Sequence, residues 1–237
     1  MSTLNAPPSA AFASAGRPPA AAAAAAAARP VLGSTPRLQQ LKSQARRPGE
    51  ASFFFYDAHF RSEAVKVLPG EFFVHHEDIA IMTTLGSCIA ACLWDRERRI
   101  GGMNHFLLPD GGGDASGRYG SYAMELLIGE LVKRGATRST MEAKVFGGAA
   151  VISGMSTINV GERNTAFVLE YLRTERITVV SKDVLDVHPR KVCFLPASGK
   201  AMVKRLATTN VDALAAQERA AAVRAPAAAA TGTVELF

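Results

Sequence analysis

The sequence predicts a mixed α/β domain, strand-rich in its first half, with helices covering the sheet. Three observations carry this reading. Short apolar runs of strand length crowd the stretch between residues 52 and 108. Two later stretches, Arg118–Arg134 and Arg163–Arg173, space their apolar residues along one helical face. A uniform alternation of strand and helix is missing, which argues against a doubly wound parallel sheet.

The chain has 237 residues, enough for one domain with a real core. Its two ends differ from the middle. Residues 1–50 carry Pro-Pro pairs and nine consecutive alanines (Ala20–Ala28), with Phe12 as the one aromatic. Residues 208–237 return to alanine with isolated charges and close on Val234–Phe237. Neither end supplies enough branched or aromatic side chains to offset the entropy of ordering a chain, so both are expected to be disordered tails around a domain at 51–207. The formal net charge of +6 sits almost wholly in the first tail, which holds six Arg or Lys against one acid. The domain itself is close to neutral, which speaks against a nucleic-acid partner.

The alanine run is not expected to be a signal peptide. The first sixteen residues hold no Lys or Arg, and Pro18, Pro19 and Pro30 bracket it. No stretch approaches the roughly twenty apolar residues that span a bilayer. Three cysteines, Cys88, Cys92 and Cys193, suit neither a disulfide framework nor a paired zinc motif. A reducing cytoplasm is the expected compartment.

Element by element, Phe53–Phe60 is unusually aromatic and is expected to lie as an arm across the domain or to form part of a partner surface. Glu71–Val74 and Ile79–Met82 have strand length, separated by a polar turn. Cys88–Trp94 is a nearly continuous apolar run closed by the charged turn Asp95–Arg99, the pattern of a strand buried on both faces. Ile100–Leu108 is its expected antiparallel neighbour, stopped at Pro109. Asp110–Gly117 is a Gly-rich loop in which Ser116 is placed to cap the helix that follows; Gly135 ends that helix. Lys144–Phe146 and Ile177–Ser181 are strands, and Lys191–Leu195 pairs with Ala201–Leu206 across the turn Pro196–Gly199.

Thiol chemistry needs a thiolate, and a thiolate needs a base or a positive environment. Cys88 sits where a glycine-containing loop, Leu85-Gly86-Ser87, enters a buried strand. Loop N–H groups there can face an oxyanion while the strand fixes the sulfur. A hairpin through Asp95–Arg99 brings Cys88 to the same end of the sheet as His105. Cys88 is therefore the candidate nucleophile and His105 its acid–base partner. Zinc held by Cys88, Cys92 and His105 is the competing reading, with no fourth ligand in view. Cys92 and Cys193 suit buried apolar positions, and His59, His75, His76 and His188 suit the surface. There is no phosphate loop, no Gly-x-Ser-x-Gly elbow and no carboxylate pair.

Four motifs, in order, carry a family resemblance: Leu85-Gly86-Ser87-Cys88, Gly101-Gly102-Met103-Asn104-His105-Phe106-Leu107-Leu108-Pro109, Lys144-Val145-Phe146-Gly147-Gly148-Ala149, and Gly161-Glu162-Arg163-Asn164. Over roughly residues 65–206 the chain resembles the chemoreceptor glutamine deamidase family, CheD. The resemblance implies a mixed β-sandwich or layered sheet flanked by helices, like that of bacterial toxin deamidases. It implies hydrolysis of glutamine side chains on chemoreceptor cytoplasmic helices to glutamate and ammonia, with no metal or organic cofactor. The family's Cys and His fall on Cys88 and His105. Its third residue is a threonine just upstream of the Cys; the role is assigned to Thr83, with adjacent Thr84 as the rival. Asp183-Val184-Leu185-Asp186 departs from the family's Asp-Leu-Gly-Gly, which affects a turn. The implied partners are receptor helices and a CheC-type phosphatase, with the chain a monomer not inserted in a membrane. Two readings compete: a non-catalytic chemotaxis adaptor and a thiol-dependent receptor methylesterase.

Overall fold

The computed structural model describes residues 35–108, 119–150 and 160–207, and beyond them residues 213, 214, 216, 218 and 220. The alanine run, the Gly-rich stretch Asp110–Gly117 with Ser116, and the closing Val234–Phe237 lie outside the described residues. In chain order the elements are α1 (Pro36–Ser43), β1 (Phe53–Asp57), β2 (Ser62–Lys66), β3 (Phe72–His75), β4 (Ala80–Leu85), β5 (Ile89–Asp95), β6 (Ile100–Asn104), α2 (Gly120–Lys133), β7 (Met141–Gly147), α3 (Val160–Thr174), β8 (Thr178–Val184), β9 (Arg190–Leu195) and β10 (Lys200–Arg205).

The strands form two mixed sheets, ordered β1-β2-β4-β9-β10 and β3-β6-β5-β7-β8. The β2/β4 and β7/β8 pairs are parallel and the others antiparallel. Phe54, Val65, Ile81, Leu85 and Phe194 of the first sheet meet Phe73, Ala90, Cys92, Met103 and Phe146 of the second. The other face of the second sheet, including Val74, Ala91, Leu93 and Val145, packs on Leu127 and Leu131 of α2 and Val168 and Leu172 of α3. The layers are sheet, sheet, helices: the layered mixed α/β class expected from the sequence.

This layering explains why β5 reads as one apolar run. Ile89, Ala91 and Leu93 belong to the helix-side core, while Ala90 and Cys92 belong to the inter-sheet core. A strand in the middle layer has no solvent face, so alternation is lost. Its partner β6 lies opposite with Cys92 facing Met103 and Leu93 facing Gly102, and a further bridge joins Ile89 to Phe106. Gly101 and Gly102 are required by space: a Cβ on Gly102 would fall 2.6 Å from the Phe73 carbonyl and from Val74.

The aromatic stretch at 53–60 is a strand rather than an arm. Phe53–Asp57 forms edge strand β1, and Asp57 Oδ1 accepts from the N–H groups of His59 (2.9 Å) and Phe60 (3.1 Å), turning the chain into β2. Nothing in the apolar pattern announced β2, because Ala64 and Val65 are its only aliphatics. Ahead of residue 51, α1 adds Leu38 and Leu41 to the inter-sheet core. Thr35 caps it, its Oγ1 accepting from the Leu38 N–H at 3.0 Å, with Pro36 in the first turn. Helix α2 ends as Gly135 predicts: Gly135, at φ +91, donates to Val132 O and Ala136 to Leu131 O, the paired closure of a left-handed C-cap.

Leu185 and Asp186 take φ of +65 and +69, the left-handed region that glycine adopts freely. The turn is held in place because Leu185 N–H donates to Gly147 O and Asp186 O accepts from Ala150 N–H. A β-carbon in this region costs about 1–2 kcal/mol, partly offset by the larger entropy glycine loses on folding. Leu185→Gly is therefore expected to stabilise the chain by about 0.5–1 kcal/mol, raising the melting temperature by about 1–4 °C. Thermal unfolding followed by circular dichroism checks this, and a lowered melting temperature would refute the strain argument.

Candidate active site

Strand parity on β4 decides which threonine turns inward. Ile81 and Leu85 lie in the inter-sheet core, and Met82 lies on the opposite face, so Thr83 faces inward and Thr84 outward. Thr83 is buried and Thr84 half-buried. The Thr83 hydroxyl donates to Val67 O at 2.8 Å, and its oxygen lies 2.8 Å from His105 Nδ1. A hydroxyl has one hydrogen, so the second contact has Nδ1–H as donor and Thr83 as acceptor. That choice leaves the lone pair of the neutral ring on Nε2, which is buried and without a hydrogen-bond partner among the described residues. The backbone of His105 is pinned as well, its N–H donating to Glu71 O (3.0 Å) and its C=O accepting from Gly70 N–H (2.7 Å).

Cys88 ends the short loop by which the chain leaves β4 in one sheet and enters β5 in the other. Three carbonyls of this loop are held from behind. Gly86 O accepts from Ala149 N–H (2.7 Å), Ser87 O from Asn164 Nδ2 (3.0 Å) and Cys88 O from Gly148 N–H (2.8 Å). The approach is so close that a Cβ on Gly147 would fall 2.1 Å from Cys88 O, and Gly147 itself has φ +112. Asn164 reaches from α3 and also binds Leu107 O at 2.8 Å, tying the Cys88 loop to the His105 strand.

With the carbonyls turned back, the loop N–H groups converge in front. Gly86 N–H (2.8 Å), Ser87 N–H (3.1 Å), Cys88 N–H (3.4 Å) and Ser87 Oγ (2.7 Å) all donate to the carboxylate of Glu218. Successive N–H groups aimed at one point make an anion-binding concavity. One donor atom each from Cys88, His105 and Glu218 lies within 4.8 Å of the others.

Burial dominates the electrostatics. Desolvation pushes the Cys88 thiol well above its ordinary value, and the charge and hydrogen bond of Glu218 push it further the same way. Desolvation drives His105 down to about 4, against the pull of the Glu218 carboxylate and the Val67 carbonyl. The pair is therefore a neutral thiol beside a neutral imidazole while Glu218 is seated. Cys92 is outside this group; its thiol is buried and raised by desolvation. The zinc reading with Cys92 accordingly lacks its second sulfur. The trio Cys88, His105 and Glu218 has ligand chemistry, but three N–H groups and a hydroxyl already point at the carboxylate oxygens. Their partial positive charge favours an anion over a cation at that point.

The residues singled out by sequence, Cys88, His105 and Thr83, come together here, whereas Thr84, His59, His75, His76 and His188 do not join them. Sequence reasoning assigned no role to Gly147, Gly148 and Asn164, although they sit in the motifs that carry the resemblance. It missed Glu218, which carries no local signal in an alanine-rich stretch.

Comparison with known proteins bears on the same residues. A family model described as CheD chemotactic sensory transduction matches residues 107–205. A protein of Albidiferax ferrireducens named "Probable chemoreceptor glutamine deamidase CheD 1" is 63% identical over 207 residues, covering 86% of this chain and 88% of the relative. A Janthinobacterium protein named "Probable chemoreceptor glutamine deamidase CheD" is 51% identical over 193 residues, covering 79% of this chain and 95% of the relative. A protein of that name in Burkholderia vietnamiensis is 55% identical over 196 residues, with 79% of each chain covered.

The buried imidazole makes stability depend on pH. Unfolded, His105 takes a proton near pH 6.5; folded, it resists protonation down to about 4. The unfolded chain binds more protons in that window, so the His105 contribution to stability is intact above it and falls as the pH drops through it. His105→Gln is expected to flatten this part of the dependence, read as the difference in urea midpoint between the two chains across the window. Parallel curves for the two chains would refute the assignment.

Proposed function

The chain belongs to the CheD family, and on that premise we propose that it hydrolyses glutamine side chains of chemoreceptor cytoplasmic helices to glutamate and ammonia. The observation that carries the proposal is the convergence of three loop N–H groups beside a cysteine whose neighbouring imidazole has its tautomer set by a buried threonine.

The steps follow from those groups. When substrate replaces the seated carboxylate, His105 Nε2 takes the Cys88 proton, giving thiolate and imidazolium. The sulfur forms a bond to the carboxamide carbon, and the oxygen gains negative charge facing the N–H groups of Gly86, Ser87 and Cys88. Imidazolium returns its proton to the departing nitrogen, the C–N bond breaks and ammonia leaves a thioester. Nε2 then takes a proton from water as hydroxide adds to the thioester carbon. The C–S bond breaks, the Nε2 proton passes to the departing sulfur to restore the thiol, and the carboxyl proton is released to leave glutamate. Thr83 orients the ring and fixes Nδ1–H, the part the third member of a catalytic triad plays.

The working location is the cytoplasm, where receptor helices and the reducing conditions a free thiol needs coincide. No described helix is long and apolar enough to cross a membrane. The catalytic unit is the two-sheet domain acting as a monomer, its core reaching ahead of residue 51 to Leu38 and Leu41 of α1. A CheC-type phosphatase is a further partner on the strength of family resemblance.

The test incubates the chain with a receptor cytoplasmic fragment and maps Gln-to-Glu conversion by mass spectrometry. Cys88→Ala is expected to abolish conversion and His105→Ala to lower kcat by about 10²–10⁴-fold. Thr83→Val removes the hydrogen bond that holds the His105 ring, about 1–3 kcal/mol, along with the one to Val67 O, and is expected to lower kcat about tenfold to a hundredfold. Thr84→Val is expected to change it little. Conversion that survives Cys88→Ala would sink the mechanism. Receptor binding with no conversion by any variant would favour the adaptor reading, and loss of receptor methyl groups without amide conversion the methylesterase.

A further inference from the structure

The Cys88 site is already occupied, and by this chain. Five residues beyond 207 are described, and among them the charged one is buried: Glu218 is 5% exposed, while Ala213, Ala216 and Ala220 are exposed and Leu214 is half-buried. A surface helix ordinarily does the reverse, burying its apolar side chains and leaving its acids in water. Burying a carboxylate is costly unless it is fully hydrogen-bonded. Glu218 is, through three backbone N–H groups and the Ser87 hydroxyl. The three N–H groups are the donors assigned above to the oxyanion. A glutamate side chain is also the product of the reaction proposed for this site. The segment thus presents to the enzyme the group that the enzyme makes.

We propose that Glu218 is a tethered product analogue: the C-terminal segment holds a glutamate side chain in the oxyanion pocket of its own Cys88 site, and a receptor glutamine enters only after that side chain withdraws. The identity of the displaced group as a product rests on the deamidase reading; occupation of the pocket does not. Because the competitor is covalently attached, modest intrinsic affinity is enough to keep it seated. Substrate then sees only the fraction of molecules whose pocket is open, so its apparent affinity falls by that fraction. Seated, Glu218 does a second thing. Its negative charge beside the sulfur opposes thiolate formation, so the nucleophile is disarmed as well as covered. Withdrawal removes the charge and frees the N–H groups in one movement.

The full-length chain, Glu218→Ala, Glu218→Gln and a control on an exposed acid of α2, Glu125→Ala, test this. Cys88 alkylation by iodoacetamide, mapped by peptide mass spectrometry, is expected to be ~tenfold faster in Glu218→Ala and unchanged in Glu125→Ala. With a receptor fragment, Glu218→Ala is expected to lower KM severalfold and to alter kcat less. Glu218→Gln turns the analogue into an internal substrate. Cys88 adds to the carboxamide carbon of the introduced side chain, ammonia leaves with the proton from His105, and water cleaves the thioester to regenerate the thiol and restore glutamate at that position. This conversion is expected to be first-order, independent of protein concentration, and absent when Cys88→Ala is added. Equal alkylation rates and equal KM in the original chain and Glu218→Ala would overturn the proposal. An introduced amide left intact by a Glu218→Gln chain that converts the receptor fragment would overturn the product-analogue pose. Faster alkylation in Glu218→Ala with no receptor conversion by any variant would uphold the occupied pocket and defeat the deamidase reading instead.

Discussion

Three backbone carbonyls, those of Gly86, Ser87 and Cys88, are taken by donors behind the loop, and the rest of the site depends on that. A peptide unit is rigid, so the held Gly86 and Ser87 carbonyls fix where the Ser87 and Cys88 N–H groups point, and the held Cys88 carbonyl fixes the Ile89 N–H, which donates to Phe106 O. Ala149, Gly148 and Asn164 supply the three donors from the end of β7 and the start of α3. Because those elements belong to the second sheet and its helical cover, the loop is oriented by the layer it is entering. The two glycines after Phe146 are a condition of this arrangement. Gly148 has φ +69, and a Cβ there would fall 2.4 Å from Thr165 Oγ1; its neighbour Gly147 admits the Cys88 carbonyl. Gly161 serves the same contact from the helix side, where a Cβ would fall 2.3 Å from Gly148 O.

The same loop crosses between the sheets, which puts the thiol and imidazole at a boundary between two cores. Cys88 lies in the inter-sheet cluster together with Phe73, Met103 and Phe146. Low polarity there disfavours both charged forms, raising the thiol and lowering the imidazole. A reactive thiolate–imidazolium pair in such a place depends on compensating dipoles. The loop N–H groups supply them once a neutral substrate takes the place of a carboxylate. One set of donors thus stabilises an anion on the sulfur's target or an anion from the chain itself, but not both together.

Much of this was legible in the sequence where the physics is local. The charged turn Asp95–Arg99 between two apolar runs sets a hairpin, and a hairpin's register carries Cys88 to the end where His105 lies; the Ile89–Phe106 bridge has that register. The choice between Thr83 and Thr84 follows from period-two alternation once the inward face of β4 is known, but a sequence does not label which face is inward. The aromatic run at Phe53 concealed an edge strand, since exposed Phe53 and buried Phe54 give no alternation of polarity to read. Asn164 and Glu218 were beyond local reading for a different reason. Each acts on the Cys88 loop across 77 and 131 residues of chain respectively, and their meaning lies only in the contact.

The position of Glu218 bears on what an empty pocket would cost. A pocket lined with three N–H donors and a hydroxyl is itself an unsatisfied polar surface when empty, and leaving such donors without acceptors costs stability. Water can meet that need, but a carboxylate meets it with charge-assisted bonds that are about twice as strong. Among the described residues of this segment, Ala213, Ala216 and Ala220 are exposed and Leu214 is half-buried, so Glu218 is the one of them that is buried. In sequence nothing marks the segment, Glu218 lying between Gln217 and Arg219 in an otherwise alanine-rich stretch. Selectivity for a neutral amide substrate then cannot come from the N–H groups alone, which favour the anion. On the proposed deamidase reading it comes from contacts that a receptor helix makes outside the pocket.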